Sequence, residues 1–296
     1  MMRFERLAFA AFLTMSGAEH TTAEPSSAWL RTQVGIVEQS PYPLYNSTEA
    51  SGQYYALLLG YEDEVSPGVA LKVRLPWIFA EVELPAGAIM ETNLWGNPEV
   101  SAETDLAWNE RTRLVMSLGL AFPPGHGGAD LEKDYLENKA LAIASAGGGW
   151  RDRELFERGR VSLTPAMRLE YRPVDNVALE VFFKASLMMR SDRSGSRESD
   201  AQHTRINDTG LYAVGGGRAE WNFWKQMSGA VEVWHSHAMQ RTIEVPDIEA
   251  HRQLVIQPEA FMKISHYSIG ASMTLPVGRP LGGSVVTGAV ELTVLL

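Results

Sequence analysis

The segment VSLTPAMRLEYR, Val161 to Arg172, decides the reading of the whole chain. Val161, Leu163, Pro165, Met167, Leu169 and Tyr171 share one parity, and Ser162, Thr164, Ala166, Arg168, Glu170 and Arg172 the other. A period of two sends successive side chains to opposite faces of a strand. One face is therefore oily and uncharged, and the other carries ions. The next run repeats the pattern: Val177, Leu179, Val181, Phe183, Ala185, Leu187 and Met189 alternate with Ala178, Glu180, Phe182, Lys184, Ser186, Met188 and Arg190. The same rule holds upstream, where Leu71, Val73 and Leu75 oppose Lys72 and Arg74. It holds downstream, where Ile256, Pro258, Ala260 and Met262 oppose Gln257, Glu259 and Lys263.

These runs are about 9 to 13 residues long, longer than the usual five or six of a soluble sheet and suited to a tilted membrane-spanning strand. Short connections (Glu64 to Pro67, Asn109 to Arg111, Pro173 to Asn176, Lys225 to Gln226, Ser265 to His266) alternate with longer ones (40–51, 77–97, 123–159, 191–208, 242–252, 277–283). That rhythm is the one an outer-membrane barrel shows, with tight periplasmic turns and longer outer loops. The expected strands number about twelve: 28–39, 52–63, 68–76, 98–108, 112–122, 160–172, 177–190, 209–224, 227–240, 253–264, 267–276 and 284–296. An even count lets the first and last strands pair and close the sheet. Tyr61, Trp108, Tyr171, Trp224 and Tyr267 each stand beside a short turn, where half-wet aromatic rings mark a membrane boundary. The expected fold is all-β: an antiparallel transmembrane β-barrel over residues 24–296, located in the bacterial outer membrane.

Composition agrees with this. The 296 residues carry 26 basic and 36 acidic side chains, a net charge of −10, which argues against a nucleic-acid binder. No stretch approaches the roughly 20 apolar residues of a membrane-spanning helix. The absence of cysteine removes disulfide scaffolds, thiolate zinc sites and cysteine nucleophiles. At the N-terminus, Arg3 and Arg6 precede the apolar run Leu7 to Leu13 and the small residues Ser16, Gly17 and Ala18. This order reads as a secretory signal peptide within 1–23, with cleavage after Ala18 or at a second point, Thr22-Ala23. One helix is expected, over Asp130 to Ala146 inside the longest connection, with Leu131, Leu136, Ala140 and Ile143 as its stripe and Gly147-Gly148-Gly149 as its end. It either folds into the barrel mouth or lies across the loop face.

Gly96-Asn97-Pro98-Glu99, followed by Leu118-Gly119-Leu120-Ala121-Phe122-Pro123-Pro124-Gly125 and the strand Pro165 to Tyr171, resembles the outer-membrane barrel family named for the meta-pathway of phenol degradation. The resemblance spans most of the chain after 23. It implies a transporter-type barrel that moves small, aromatic or apolar molecules, and it brings no catalytic residues. Such barrels commonly end in an aromatic residue that the assembly machinery reads; this chain ends Val294-Leu295-Leu296, which keeps the apolar phase.

The charged parity supplies the site residues. Lys72, Arg74, Glu103, Asp105, Arg168, Glu170, Glu180, Lys184, Arg218, Glu220, Glu259 and Lys263 are expected to line the lumen, with Arg31, Glu99, Glu232 and Glu291 on the same face. Each would cost about 2–4 kcal/mol against lipid at the midplane. Mixed signs argue against strong ion selectivity, which a ring of one sign would favour. His126, His203 and His251 fall in long loops, while His235 and His237 share one strand face, at the membrane boundary or on a metal. A hydrolase would need a serine beside one of these histidines, but Ser236 has the opposite parity, leaving only Ser186 or Thr209 on a neighbouring strand. No phosphate loop, dinucleotide fingerprint or HExxH is present. The expectation is a non-enzymatic passive channel without cofactor, whose partners are outer-membrane lipid, the assembly machinery and a small solute. A surface scaffold or adhesin barrel and a secreted β-sandwich are the alternatives. Single-channel recording separates channel from scaffold.

Overall fold

The computed structural model describes residues 26–40, 50–83, 87–124, 131–157, 159–190, 209–239, 252–278 and 280–296. The expected signal peptide and His126, His203 and His251 lie outside the described residues. The strands are β1 Ser27–Ser40, β2 Ala50–Ser66, β3 Val69–Glu83, β4 Ile89–Trp95, β5 Glu99–Asn109, β6 Thr112–Ala121, β7 Arg160–Val174, β8 Val177–Arg190, β9 Thr209–Trp224, β10 Met227–Ala238, β11 Arg252–Ile264, β12 Tyr267–Val277 and β13 Val285–Leu295. A single described α-helix, α1, runs Leu131–Gly147, and a 3-10 turn spans Arg153–Leu155.

Every neighbouring pair in the ring is antiparallel, and β1 pairs β13 from Ser27↔Leu295 to Val37↔Val285. Because β3 pairs both β2 and β5, the sheet closes into a ring of twelve strands, with β4 attached to β3 outside it. Closure removes the edges and satisfies the backbone of every stave within hydrocarbon. Tight two-residue turns join the hairpins at one end. Gly68 (φ +72°) and Ser265 (φ +55°) supply the left-handed backbone that two of these reversals need.

The parity read from the sequence holds in three dimensions. Met167, Val181, Val286 and Val290 point outward and are 55%, 65%, 54% and 55% exposed. Together with Leu169, Leu179, Phe183, Leu275 and Leu292 they make an uncharged belt around the closed barrel. A soluble protein rarely exposes more than a few hundred Å² of contiguous apolar surface, so this belt identifies a lipid-facing wall. Tyr61, Trp108, Tyr171, Trp224 and Tyr267 are all exposed around its turn end, as an interfacial aromatic girdle requires. The sandwich alternative is thereby removed. No described helix is long and apolar enough to cross a membrane.

One connection departs from expectation. The segment 77–97 is not a loop: β3 continues through Trp77 to Glu83 and pairs with β4, from Trp77↔Trp95 to Glu83↔Ile89. Pro76 lies at the seam where β3 leaves β5 at Arg74↔Glu99 and takes up β4. A missing N–H is tolerated where one ladder hands over to another, so proline marks a change of partner here and not the end of a strand. β2 is likewise longer than expected, running from Ala50 to Ser66.

Of the two placements open for the helix, the structure has the inner one. Lys139, Ala140, Ile143, Ala144 and Ala146 are fully buried, and α1 packs on Val37 of β1, Tyr54 and Ala56 of β2, Ile78, Ala80 and Val82 of β3 and Val285 of β13. The stretch 139–147 is buried on every face and so belongs in a core, and this core is the loop end of the barrel. Burying Leu141 and Ile143 contributes about 1.5–3 kcal/mol each.

Candidate functional site

The site is the inside of the barrel, and the α1 segment divides it. Gly147 brings the helix end against the ring of Tyr54, where a Cβ would overlap the phenol. Tyr54 is in turn fixed by a buried 3.0 Å hydrogen bond with Thr287. The helix then ends in a Schellman motif. Trp150 N donates to Ser145 O (3.0 Å), Gly149 N donates to Ala146 O (2.8 Å), and Gly149 takes φ +61°. Trp150 itself has φ +57°, an uncommon backbone for a bulky residue. From this reversal the chain crosses the bore. Gly149 O accepts from Trp234 Nε1 and Ser236 Oγ of β10, each at 3.3 Å.

The crossing segment is held by ions. Asp152 Oδ1 accepts from Arg74 Nη1 and from Lys184 Nζ, each at 3.0 Å. Glu154 Oε1 is 3.3 Å from Arg74 Nη2 and 3.0 Å from Lys184 Nζ, and Glu154 Oε2 accepts from Ser186 at 3.3 Å. Arg74 stands on β3 and Lys184 on β8, four places apart in the ring. One carboxylate reaches both only across the interior. Glu99 completes the cluster at 2.7 Å from Arg74. Burial works against ionisation of Asp152, but Lys184, Arg74 and Arg151 outweigh it and hold the carboxyl well below its usual range. Arg151 lies over the rings of Phe182 and Trp234, at 5.1 and 5.4 Å from their centroids, and pairs with the buried Glu232 at 2.6 Å. Asn97 Nδ2 donates to Glu154 O (2.9 Å) and Glu157 O (2.6 Å), tying the segment to the β4–β5 junction.

Toward the turn end the wall carries ions of alternating sign. Lys72 bridges Glu62 (3.2 Å) and Glu103 (2.9 Å). Arg168 meets Glu103 (3.5 Å), Glu170 (3.1 Å) and Glu180 (3.8 Å). Arg218 meets Glu220 (2.8 Å) and Glu259 (3.1 Å), and Arg113 pairs with Asp105. Between this belt and the crossing segment lies a cavity of about 260 Å³, bounded by Lys72, Arg74, Glu103, Arg168, Glu180 and Lys184. A smaller space of about 40 Å³ follows the other flank of the segment, beside Arg31, Gln33, Leu58, Arg151 and Gln257.

Of the twelve residues expected to line the lumen, eleven take part in ion pairs. The twelfth, Lys263, is exposed beside the Ser265-His266 turn. Parity could not find Asp152, Glu154 and Arg151, because a loop has no strand phase. The signal available was the alternating-charge run Arg151-Asp152-Arg153-Glu154, separated from three glycines by Trp150 alone. His235 and His237 point outward with ring centroids 6.2 Å apart, and His237 Nδ1 accepts from Arg252 Nε at 3.1 Å. Ser236 points inward to Gly149 O, and Ser186 is engaged by Thr164 and Glu154. Neither serine is brought to a histidine among the described residues. Among the described residues no group of three or more His, Asp or Glu side chains could hold a metal ion.

The architecture has solved counterparts. An outer-membrane channel of Pseudomonas putida F1 superposes with a TM-score of 0.64 at 11% identity, over 95% of this chain and 98% of that one. The NanC porin gives 0.54 at 6% identity, over 90% and 100% of the two chains. The transport unit of the autotransporter AIDA-I from Escherichia coli gives 0.50 at 10% identity, over the full length of both. These likenesses establish the fold, that of an outer-membrane β-barrel. No family model matches the chain, and no curated protein matches its sequence.

Proposed function

We propose that this barrel is a passive outer-membrane channel for small solutes, with residues 131–157 of the longest connection folded inward to narrow the path. The observation that carries the reading is the interior itself. Ionised side chains surround an open cavity of about 260 Å³, where a barrel without a path would have its interior filled by side chains. In this reading Lys72, Arg74, Glu103, Asp105, Arg168, Glu170, Glu180, Lys184, Arg218, Glu220 and Glu259 line the path, Lys263 stands at its turn-end mouth, and residues 1–23 direct export. Solutes exchange water for these polar partners, and no covalent step is involved. The alternating signs favour weak selectivity between anions and cations.

The finer proposal is membership of the barrel family named for the meta-pathway of phenol degradation, with small aromatic or apolar solutes. Its support is the Gly96-Asn97-Pro98-Glu99 step into β5 and the Leu118-Gly119 to Gly125 strand end, on a fold shared with a bacterial outer-membrane channel. Purified protein in planar bilayers tests the channel reading. Stepwise current with a cation-to-anion permeability ratio near one is expected. Silence in salt, together with no uptake of phenol or benzoate by loaded liposomes, would favour the scaffold alternative.

A further inference from the structure

The inserted segment is attached to the wall in two chemically different ways, and the difference assigns each half a role. The α1 half is held by hydrocarbon: Ile143 and its neighbours against Tyr54, Ile78, Ala80, Val82 and Val285. The half after the helix is held over the cavity mainly by polar contacts: Arg74 and Lys184 grip Asp152 and Glu154, and Asn97 donates to the carbonyls of Glu154, Leu155 and Glu157, while Phe156 alone reaches the apolar cluster. Between the halves stand Gly147-Gly148-Gly149 and Trp150, two of them in left-handed backbone. We propose that this segment is a hinged gate. Apolar docking of α1 is its fixed leaf, the 147–150 reversal its hinge, and the Arg74–Lys184 clasp on Asp152 and Glu154 its releasable catch.

Three features support the assignment, which rests on the channel reading. The catch consists of groups that also border the cavity, so a charged solute entering from the turn end meets the same ions that hold the segment shut. An anion competes for Lys184 and Arg74, and a cation for Asp152 and Glu154, at little net cost in ion pairs. The opposite flank of the segment, beside Gln33, Leu58 and Gln257, holds only about 40 Å³ of open space, so a released segment moves toward the cavity of about 260 Å³. The apolar leaf has no such competitor, because small ions do not displace hydrocarbon contacts. Opening is therefore expected to move residues 151–157 while α1 stays in place.

The native chain has no cysteine, so single reporters can be read without background. Leu155→Cys reports on the catch half and Ile143→Cys on the docked half; both positions are fully buried. Each is placed in the full-length barrel in liposomes, alone and with Asp152→Asn plus Glu154→Gln, and labelled with a membrane-impermeant thiol reagent. Labelling of Leu155→Cys is expected to rise at least tenfold in the neutralised catch, with Ile143→Cys unchanged and open probability in planar bilayers raised. Equal labelling of Leu155→Cys with and without the catch overturns the gate, and so does parallel labelling of both reporters. Faster labelling of Leu155→Cys alone, with no current from any variant, leaves the catch standing and overturns the channel reading. Lys184→Gln, made from the wall side, must move Leu155→Cys in the same direction. If the neutralised segment does not give a heat-modifiable barrel, the Lys184→Gln result decides alone.

Discussion

Replacing Met167 with arginine puts the lipid-facing assignment under load. Met167 is four residues above Tyr171 of the aromatic girdle on β7. At about 3.3 Å per residue and a tilt near 40°, that is roughly 10 Å along the membrane normal, close to the middle of a band about 25 Å tall. The side chain is 55% exposed and outward. An arginine there costs about 2–4 kcal/mol in a membrane barrel, or a thirty- to nine-hundred-fold shift of the folding equilibrium at about 1.36 kcal/mol per decade. Ala166→Arg is the matched control: the same new side chain, one residue along the strand, facing the charged cavity beside Glu103 and Glu180. Its cost is expected to stay within about 1 kcal/mol, as for a solvated position. Urea titration of both variants folded into liposomes, read by tryptophan fluorescence, measures the difference. Equal midpoints, or a larger loss for Ala166→Arg, would refute the facing argument.

Gly147→Ala puts a Cβ into the Tyr54 ring, so overpacking should cost about 1–3 kcal/mol and lower the melting temperature with Tyr54 intact. A Gly147→Ala barrel that melts like the parent would mean that α1 does not press on Tyr54. Mild acid should leave the Asp152 part of the catch in place. Asp152 is held ionised by Lys184, Arg74 and Arg151, so its contribution is present above the ordinary carboxylate value near 3.9 and is lost only as pH falls through the depressed one. With Glu154→Gln leaving Asp152 as the carboxylate of the catch, labelling of Leu155→Cys, normalised at each pH to a free thiol so that the falling thiolate fraction cancels, should therefore be flat from pH 7 to 5, and a steep rise in that window would place the controlling charge elsewhere.

The staves were legible because a barrel wall faces two media along its whole length. Lipid outside and ions inside force strict alternation, and runs such as Val161 to Arg172 carry it without interruption. β4 was not legible, because Pro76 resembles a terminator and only the hand-over of pairing from Glu99 to Trp95 explains why the strand continues past it. The helix was legible as a helix but not as an insert. Leu136, Ala140 and Ile143 form one stripe, yet Ala142, Ala144 and Ala146 are buried as well, and small residues show little polarity in a helical pattern. Parity picked out the charged residues that the structure joins in ion pairs along the wall. Their attachment to Asp152 and Glu154 did not follow from it, since which loop enters the bore is a tertiary choice that the chain settles through Tyr54, Trp234 and Asn97 rather than through local periodicity.

The most direct test is a spin-label scan of positions 161 to 171, one cysteine at a time, in the reconstituted protein. Collision rates with oxygen, which partitions into lipid, and with a water-soluble nickel chelate should alternate with period two. Oxygen access should peak at Leu163, Pro165, Met167 and Leu169, while Thr164, Ala166, Arg168 and Glu170 should show none of that lipid signature. Uniform protection from both reagents, or oxygen access without alternation, would contradict a barrel whose oily face meets the bilayer.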